Sequence, residues 1–338
     1  MDQRSRTVAE LRPRQGLALT PTLTVTAAAK KMVAAGTDCA LVVSLEGGLE
    51  GIITDTDVTR KIIAPGMDPD ATLVSEVMTA NPQCVRASEN AVDALCTMVE
   101  RRFRHLPVLD ANGAVVGVLD IAKCLYDAIS RLERHVSSAS TALSTAILSA
   151  MPQGNSGGSA QQLVDGMVQK LFSPSLSDLL QNTNHANAAP GAAAPPPSVA
   201  PGATCQAAAA LMCLRKSAIL VSSPAEPCMG ILSPKDLLFR LVAKGMGGEA
   251  TQVDAIMTRS PDTMPATATV LQALHQLQYG GYRNVPVVGD QGEALGVLDV
   301  LTLMEVTTCS LQPLACILQH PATSCNLILQ PATSSLQP

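Results

Sequence analysis

The feature that most constrains this chain is a repeat. The stretch Gly51-Ile52-Ile53-Thr54-Asp55-Thr56-Asp57 is an apolar strand running into a hydroxyl and then a carboxylate that opens a helix. It returns in looser form as Gly117-Val118-Leu119-Asp120, Gly230-Ile231-Leu232-Ser233-Pro234-Lys235-Asp236 and Gly296-Val297-Leu298-Asp299. Within each half the glycines stand 66 residues apart (51 to 117, 230 to 296). An offset of 179 (51 to 230) also lays Val77-Met78-Thr79 over Ile256-Met257-Thr258 without a gap. The same offset lays Arg104-His105-Leu106-Pro107-Val108 over Arg283-Asn284-Val285-Pro286-Val287. A unit of about 60 residues therefore occurs four times, in two pairs, and the fold must be internally duplicated.

Each unit reads as β-α-β-β-α, an α/β (α+β) pattern. In the first, a short strand from Leu23 precedes a helix predicted over Thr26 to Ala35, rich in Ala and Lys and stopped by Gly36. Strands predicted over Cys39 to Leu45 and Leu49 to Thr54 flank the loop Glu46-Gly47-Gly48, and Thr54 with Asp57 starts a helix that Pro65-Gly66 ends. The second unit repeats this with a strand near Cys84-Val85, a helix over Asn90 to Arg101 and a hairpin around Asn112-Gly113. Its last helix is predicted from Ile121 toward Val136.

The organisation predicted is a tail at 1–15, a first pair at 16–136 (units 16–70 and 73–136) and a linker at 137–200 with one helix near 161–173. A second pair follows at 201–308 (units 201–248 and 251–308), then a low-complexity tail at 309–338 that is expected to be disordered.

Composition narrows the function. Apolar residues make up 47% of the chain and aromatics 2%, so the core must be aliphatic; with no Trp, three Tyr and three Phe there is no platform for stacking bases. A net charge of −5 argues against nucleic acid or an anionic membrane as partner. No run of 18 apolar residues appears, so no membrane span is expected. The ten cysteines form no C-x-x-C pair and are read as thiols in a reducing, cytoplasmic compartment rather than as disulfides or metal ligands. Arg4, Arg6, Arg12 and Arg14 are interrupted by Asp2 and Glu10, and no apolar core of a signal peptide follows. No nucleophile, triad or metal-ligand spacing is evident, so no catalysis, metal or required cofactor is expected.

The repeated strand end carries the chemistry. A carboxylate beside a hydroxyl at a strand–helix junction can accept both hydrogen bonds of a ribose cis-diol, with the hydroxyl adding a donor or acceptor. Thr54 with Asp57 and Ser233 with Asp236 have this form. The same residues also make an ordinary helix N-cap, and the residues alone leave both readings open.

These four units resemble cystathionine-β-synthase (CBS) motifs, which pair into Bateman modules. The resemblance implies ribose binding at Thr54 and Asp57 and at Ser233 and Asp236. It also implies an adenine pocket lined near Met78 and Thr79, and near Met257 and Thr258. Phosphate contact is implied at Arg104, His105 and Arg283, with Asn284 standing where the fourth unit would carry the His. The second and fourth units depart from the pattern: Asp120 and Asp299 take the hydroxyl position, while Lys123 and Thr302 replace the carboxylate. Lys123 reads either as a phosphate ligand or as a solvated helix lysine.

Asp120-Ile121-Ala122-Lys123-Cys124-Leu125-Tyr126 and Leu171-Phe172-Ser173-Pro174-Ser175-Leu176-Ser177 further resemble plant and algal proteins with four CBS motifs followed by a Phox-and-Bem-type interaction domain. The residues after the fourth motif do not resemble that domain. The expectation is a non-enzymatic sensor taking AMP, ADP, ATP or S-adenosylmethionine, with a homodimer through its modules and a protein partner of unknown identity. The alternative is a ligand-free CBS dimerisation scaffold.

Overall fold

The computed structural model describes residues 6–127, 130, 175–184 and 196–303. The helix expected near 161–173, the stretch toward Val136 and the tail at 309–338 lie outside them. The first unit runs β1 (Ala18–Leu19), α1 (Val25–Ala34), β2 (Cys39–Val43), β3 (Leu49–Thr54), α2 (Asp55–Val58), a π-helical turn (Thr59–Ile63), α3 (Val74–Val77) and β4 (Thr79–Ala80). Thr24 caps α1 by accepting from the Ala27 amide at 3.3 Å, and Gly36, with φ +64°, turns the chain out of it. β1 lies parallel to β2, and β2 pairs antiparallel with β3, Leu41 facing Ile52.

The second unit contributes β5 (Val85–Arg86), α4 (Ala91–Glu100), β6 (His105–Leu109) and β7 (Val115–Asp120), a three-stranded sheet in the order β5-β6-β7. The second half opens on α5 (Leu176–Asn184) and then repeats the first half. Its third unit has β8 (Ser198–Val199), α6 (Cys205–Arg215), β9 (Ile219–Val221), β10 (Gly230–Leu232), α7 (Pro234–Asp236), a π-helical turn (Leu237–Leu241) and β11 (Thr258–Arg259). Its fourth has β12 (Met264–Pro265), α8 (Val270–Gly280), β13 (Asn284–Val288) and β14 (Ala294–Asp299). The expected α/β class and the four β-α-β-β-α units are what the chain forms.

Neighbouring units exchange segments. β4, from the stretch read as the start of the second unit, adds to the edge of β3 in the first, with Thr79 facing Ile52. Residues 6–14, within the stretch read as a tail, cross the second unit: Thr7 bridges to Asn90 and Arg14 to Val118. α5 takes the corresponding place on the fourth unit, Ser175 bridging to Thr269. These crossings explain the repeated glycine. A Cβ at Gly51 or Gly230 would overlap Sδ of Met78 or Met257, one at Gly117 would overlap the Arg14 carbonyl, and one at Gly296 would overlap Leu180. The repeat preserves a glycine because a neighbouring segment passes over each third strand.

Each pair has a small core of its own, around Leu41 and Val118 in the first and Leu220 and Ile231 in the second, but the two larger cores are shared between the pairs. One cluster joins the first and third units through Ile62, Ile63, Leu237, Leu238 and Leu241, and a second joins the second and fourth through Met98, Leu106, Leu274 and Leu277. α1 packs on residues 237–244, and α6 on the turn at 59–63. Each fully buried Leu or Ile contributes about 1.5–3 kcal/mol. The apolar faces of α1 and α6 are therefore covered by the other half of the same chain. Among the described residues no helix is long and apolar enough to cross a membrane, and the cysteines are free thiols.

Candidate functional site

The two Thr/Ser-Asp corners share a frame and differ in occupancy. At the first, Asp57 Oδ2 accepts from the Thr54 amide at 3.1 Å and from Thr54 Oγ1 at 2.7 Å, a reciprocal cap. Its Oδ1 accepts from Thr79 Oγ1 at 3.2 Å and from Lys61 Nζ at 3.1 Å. Lys61 also donates to the Val77 and Met78 carbonyls at 2.5 and 3.1 Å. A carboxylate offers about four acceptor positions, and all four of Asp57's are taken. The exchange of β4 onto β3 is what brings Thr79 and the Met78 backbone here.

At the third unit, Asp236 Oδ2 accepts from the Ser233 amide at 2.9 Å and from Ser233 Oγ at 2.6 Å. Oδ1 pairs with Arg240 at 3.2 Å, and Arg240 also reaches the Ile256 carbonyl and Thr258 Oγ1. One acceptor position of Asp236 thus has no partner among the described residues. Ser233, Asp236, Arg240 and Thr258 line a cavity of about 1030 Å³ that also reaches Arg104 and Arg283. Phe239, with the Lys235 ammonium 5.3 Å above its ring, adds an apolar wall. Thr54, Asp57, Met78, Thr79 and Met257 do not line that cavity.

The second and fourth corners are put to another use. Asp120 Oδ1 caps the following helix through the Ala122 and Lys123 amides at 2.9 and 3.4 Å, while Oδ2 meets Arg283 at 3.3 Å. Asp299 Oδ1 caps through the Thr302 amide at 2.8 Å, and Oδ2 meets Arg104 at 3.3 Å. Lys123 donates to the Arg12 carbonyl at 2.9 Å, holding the N-terminal segment.

Arg283 also binds Asp38 with both guanidinium nitrogens and lies 3.4 Å from His105 Nε2. His105 Nε2 is 3.4 Å from Asp38 Oδ1, and both side chains are buried. Burial alone would lower the imidazole pKa, but Cys39, Asp120 and Asp55 outweigh it and raise it. Arg283 is pushed down to about 10 by burial and by Arg14. At the matching place in the fourth unit, Asn284 Oδ1 is buried with no hydrogen-bond partner among the described residues.

Sequence reasoning missed Asp38, Arg240 and Lys61. The two bases were detectable, since each follows its aspartate by four residues at the 179-residue offset. Asp38 was not, because Ser217 stands at its counterpart. Asp38, Cys39 and His105 also form a trio of metal-ligand types within 4.8 Å of one another, assembled from residues far apart in the chain. The guanidinium of Arg283 already supplies the cation at Asp38.

The family model for the CBS domain matches residues 8–64, 74–130 and 253–307. A CBS domain-containing protein of Arabidopsis thaliana, CBSCBSPB3, is 38% identical over 88% of this chain and 52% of its own length. The meiotically up-regulated gene 70 protein of Schizosaccharomyces pombe is 26% identical over 85% of this chain and 42% of its own. The chain thus spans about half the length of the curated relatives it matches. Among solved structures, a Methanocaldococcus jannaschii protein described as a candidate archaeal homologue of γ-AMPK superposes with a TM-score of 0.61. It is 12% identical and covers 89% of this chain and 99% of its own, a likeness of fold.

Proposed function

We propose that this chain, which belongs to the CBS-domain family, is a regulatory protein without catalytic activity that binds an adenosyl ligand, AMP, ADP, ATP or S-adenosylmethionine. The Asp236 corner is the site in this arrangement, with Ser233 beside the ribose, Thr258 at the pocket wall, and Arg104, His105 and Arg283 across the cavity for phosphate. The observation that carries this reading is the unpartnered acceptor position on a carboxylate that lines the cavity. Thr54 and Asp57, with Met78 and Thr79, form the same corner in the first half, and a ligand there must first displace Lys61.

Calorimetry with the four ligands tests this directly. Asp236→Asn keeps the side-chain shape and removes the charge; each charge-assisted hydrogen bond is worth about 1.5–3 kcal/mol, so affinity should fall by roughly ten- to a hundredfold. Asp57→Asn should leave binding at Asp236 intact. Equal binding by wild type and Asp236→Asn rules out the site.

One observation favours a second reading, a ligand-free scaffold: both modules are joined by shared cores, and the Asp57 corner is saturated from within. No thermal shift with any of the four ligands would select it.

A further inference from the structure

The corners that lost the Thr/Ser-x-x-Asp pattern form two ion pairs related by the same 179-residue offset as the rest of the chain. Arg104, before β6, meets Asp299 at the end of β14, and Arg283, before β13, meets Asp120 at the end of β7. Each arginine reaches from one module to the strand-end carboxylate of the other. Each carboxylate divides its oxygens, one capping its own helix and one crossing the interface.

We infer that these pairs are a latch between the two modules, and that the phosphate of a ligand in the cavity releases it by taking Arg104 from Asp299. The inference rests on the proposed ligand site at Asp236. Arg104 and Arg283 line the same cavity as Asp236, and their side chains keep 22% and 23% of their surface exposed, so a phosphate can reach both. A phosphate dianion that takes both nitrogens of the Arg104 fork takes the one that Asp299 holds through a single contact at 3.3 Å.

The two halves of the latch differ. Arg283 is held by two carboxylates, Asp38 and Asp120, whereas Asp299 is the carboxylate paired with Arg104 among the described residues. Arg104 is therefore the half that yields, and Arg283 the half that stays. Asp299 is left behind at 9% side-chain exposure without its cation, which strains the contact between the second and fourth units.

The test compares AMP with adenosine, which shares the ribose and base and lacks the phosphate. In wild type, AMP should increase amide hydrogen exchange at 104–106 and 297–303, and adenosine should not. Asp299→Asn removes the competitor for Arg104, so AMP should bind about tenfold more tightly while adenosine binds as before. Arg104→Gln should lower the AMP-to-adenosine affinity ratio by about tenfold, His105 and Arg283 still facing the phosphate, which keeps the test decisive if Asp299→Asn folds poorly. An unchanged ratio in both variants, with normal AMP binding to wild type, overturns the latch and leaves the ligand site standing. Failure of wild type to bind adenosine or any of AMP, ADP, ATP and S-adenosylmethionine overturns both.

Discussion

At the scale of single residues, what separates the two corners is the neighbour that fills the carboxylate. Asp57 and Asp236 carry the same cap, yet Thr79 and Lys61 complete the first while the second keeps one position toward the cavity. Lys61→Ala is expected to lower stability by about 1–3 kcal/mol, the cost of leaving buried polar groups short of partners. Urea unfolding reads that loss, and calorimetry should show nucleotide stoichiometry rising from one to two. His105 gives a pH signature. Its folded-state pKa is raised, so the stability it adds is present in full below the unfolded value of about 6.5 and is lost as pH rises through the folded value. The stability difference between wild type and His105→Asn should therefore be largest in acid and shrink on the alkaline side, as denaturant midpoints across pH would show.

At the scale of elements, the third strand of each unit works only with a glycine beneath the crossing segment. Gly51→Ala places a Cβ on the Met78 side chain and 3.1 Å from the Thr79 carbonyl. Overpacking of this kind costs about 1–3 kcal/mol, and Met78→Ala should restore much of it. Gly117→Ala has no such remedy, because the obstacle is the Arg14 backbone. That variant should instead release residues 6–14, seen as faster proteolysis of the N-terminal segment. Most strands and helices were legible from local pattern, as were the cap at Thr54 and the helix opening at Asn90; the strand read from Leu23 was not, because the chain turns there for Thr24 to cap α1, and β1 lies earlier at Ala18–Leu19. The segment exchange was not legible, since which unit Thr79 or Arg14 joins depends on hydrogen bonds between strands distant in sequence.

At the scale of the whole molecule, the two larger cores run across the halves, and two smaller ones join the units within each half. Ile62 belongs to the cluster that holds Leu237, Leu238 and Leu241, so Ile62→Ala should cost about 2–5 kcal/mol and weaken both modules together. Calorimetry should then show one transition moved to lower temperature; two separated transitions would mean the halves are independent. Local pattern carried the four units, their β-α-β-β-α order and the residues at each corner, because strand and helix periodicity, caps and turns are local and the duplication repeats them. Long-range packing set which corner keeps an unfilled acceptor position, which arginines of the opposite module Asp120 and Asp299 meet, and the arrival of Asp38 beside them. Those outcomes depend on which side chain arrives from elsewhere to satisfy a buried charge, and spacing along the chain does not encode that arrival.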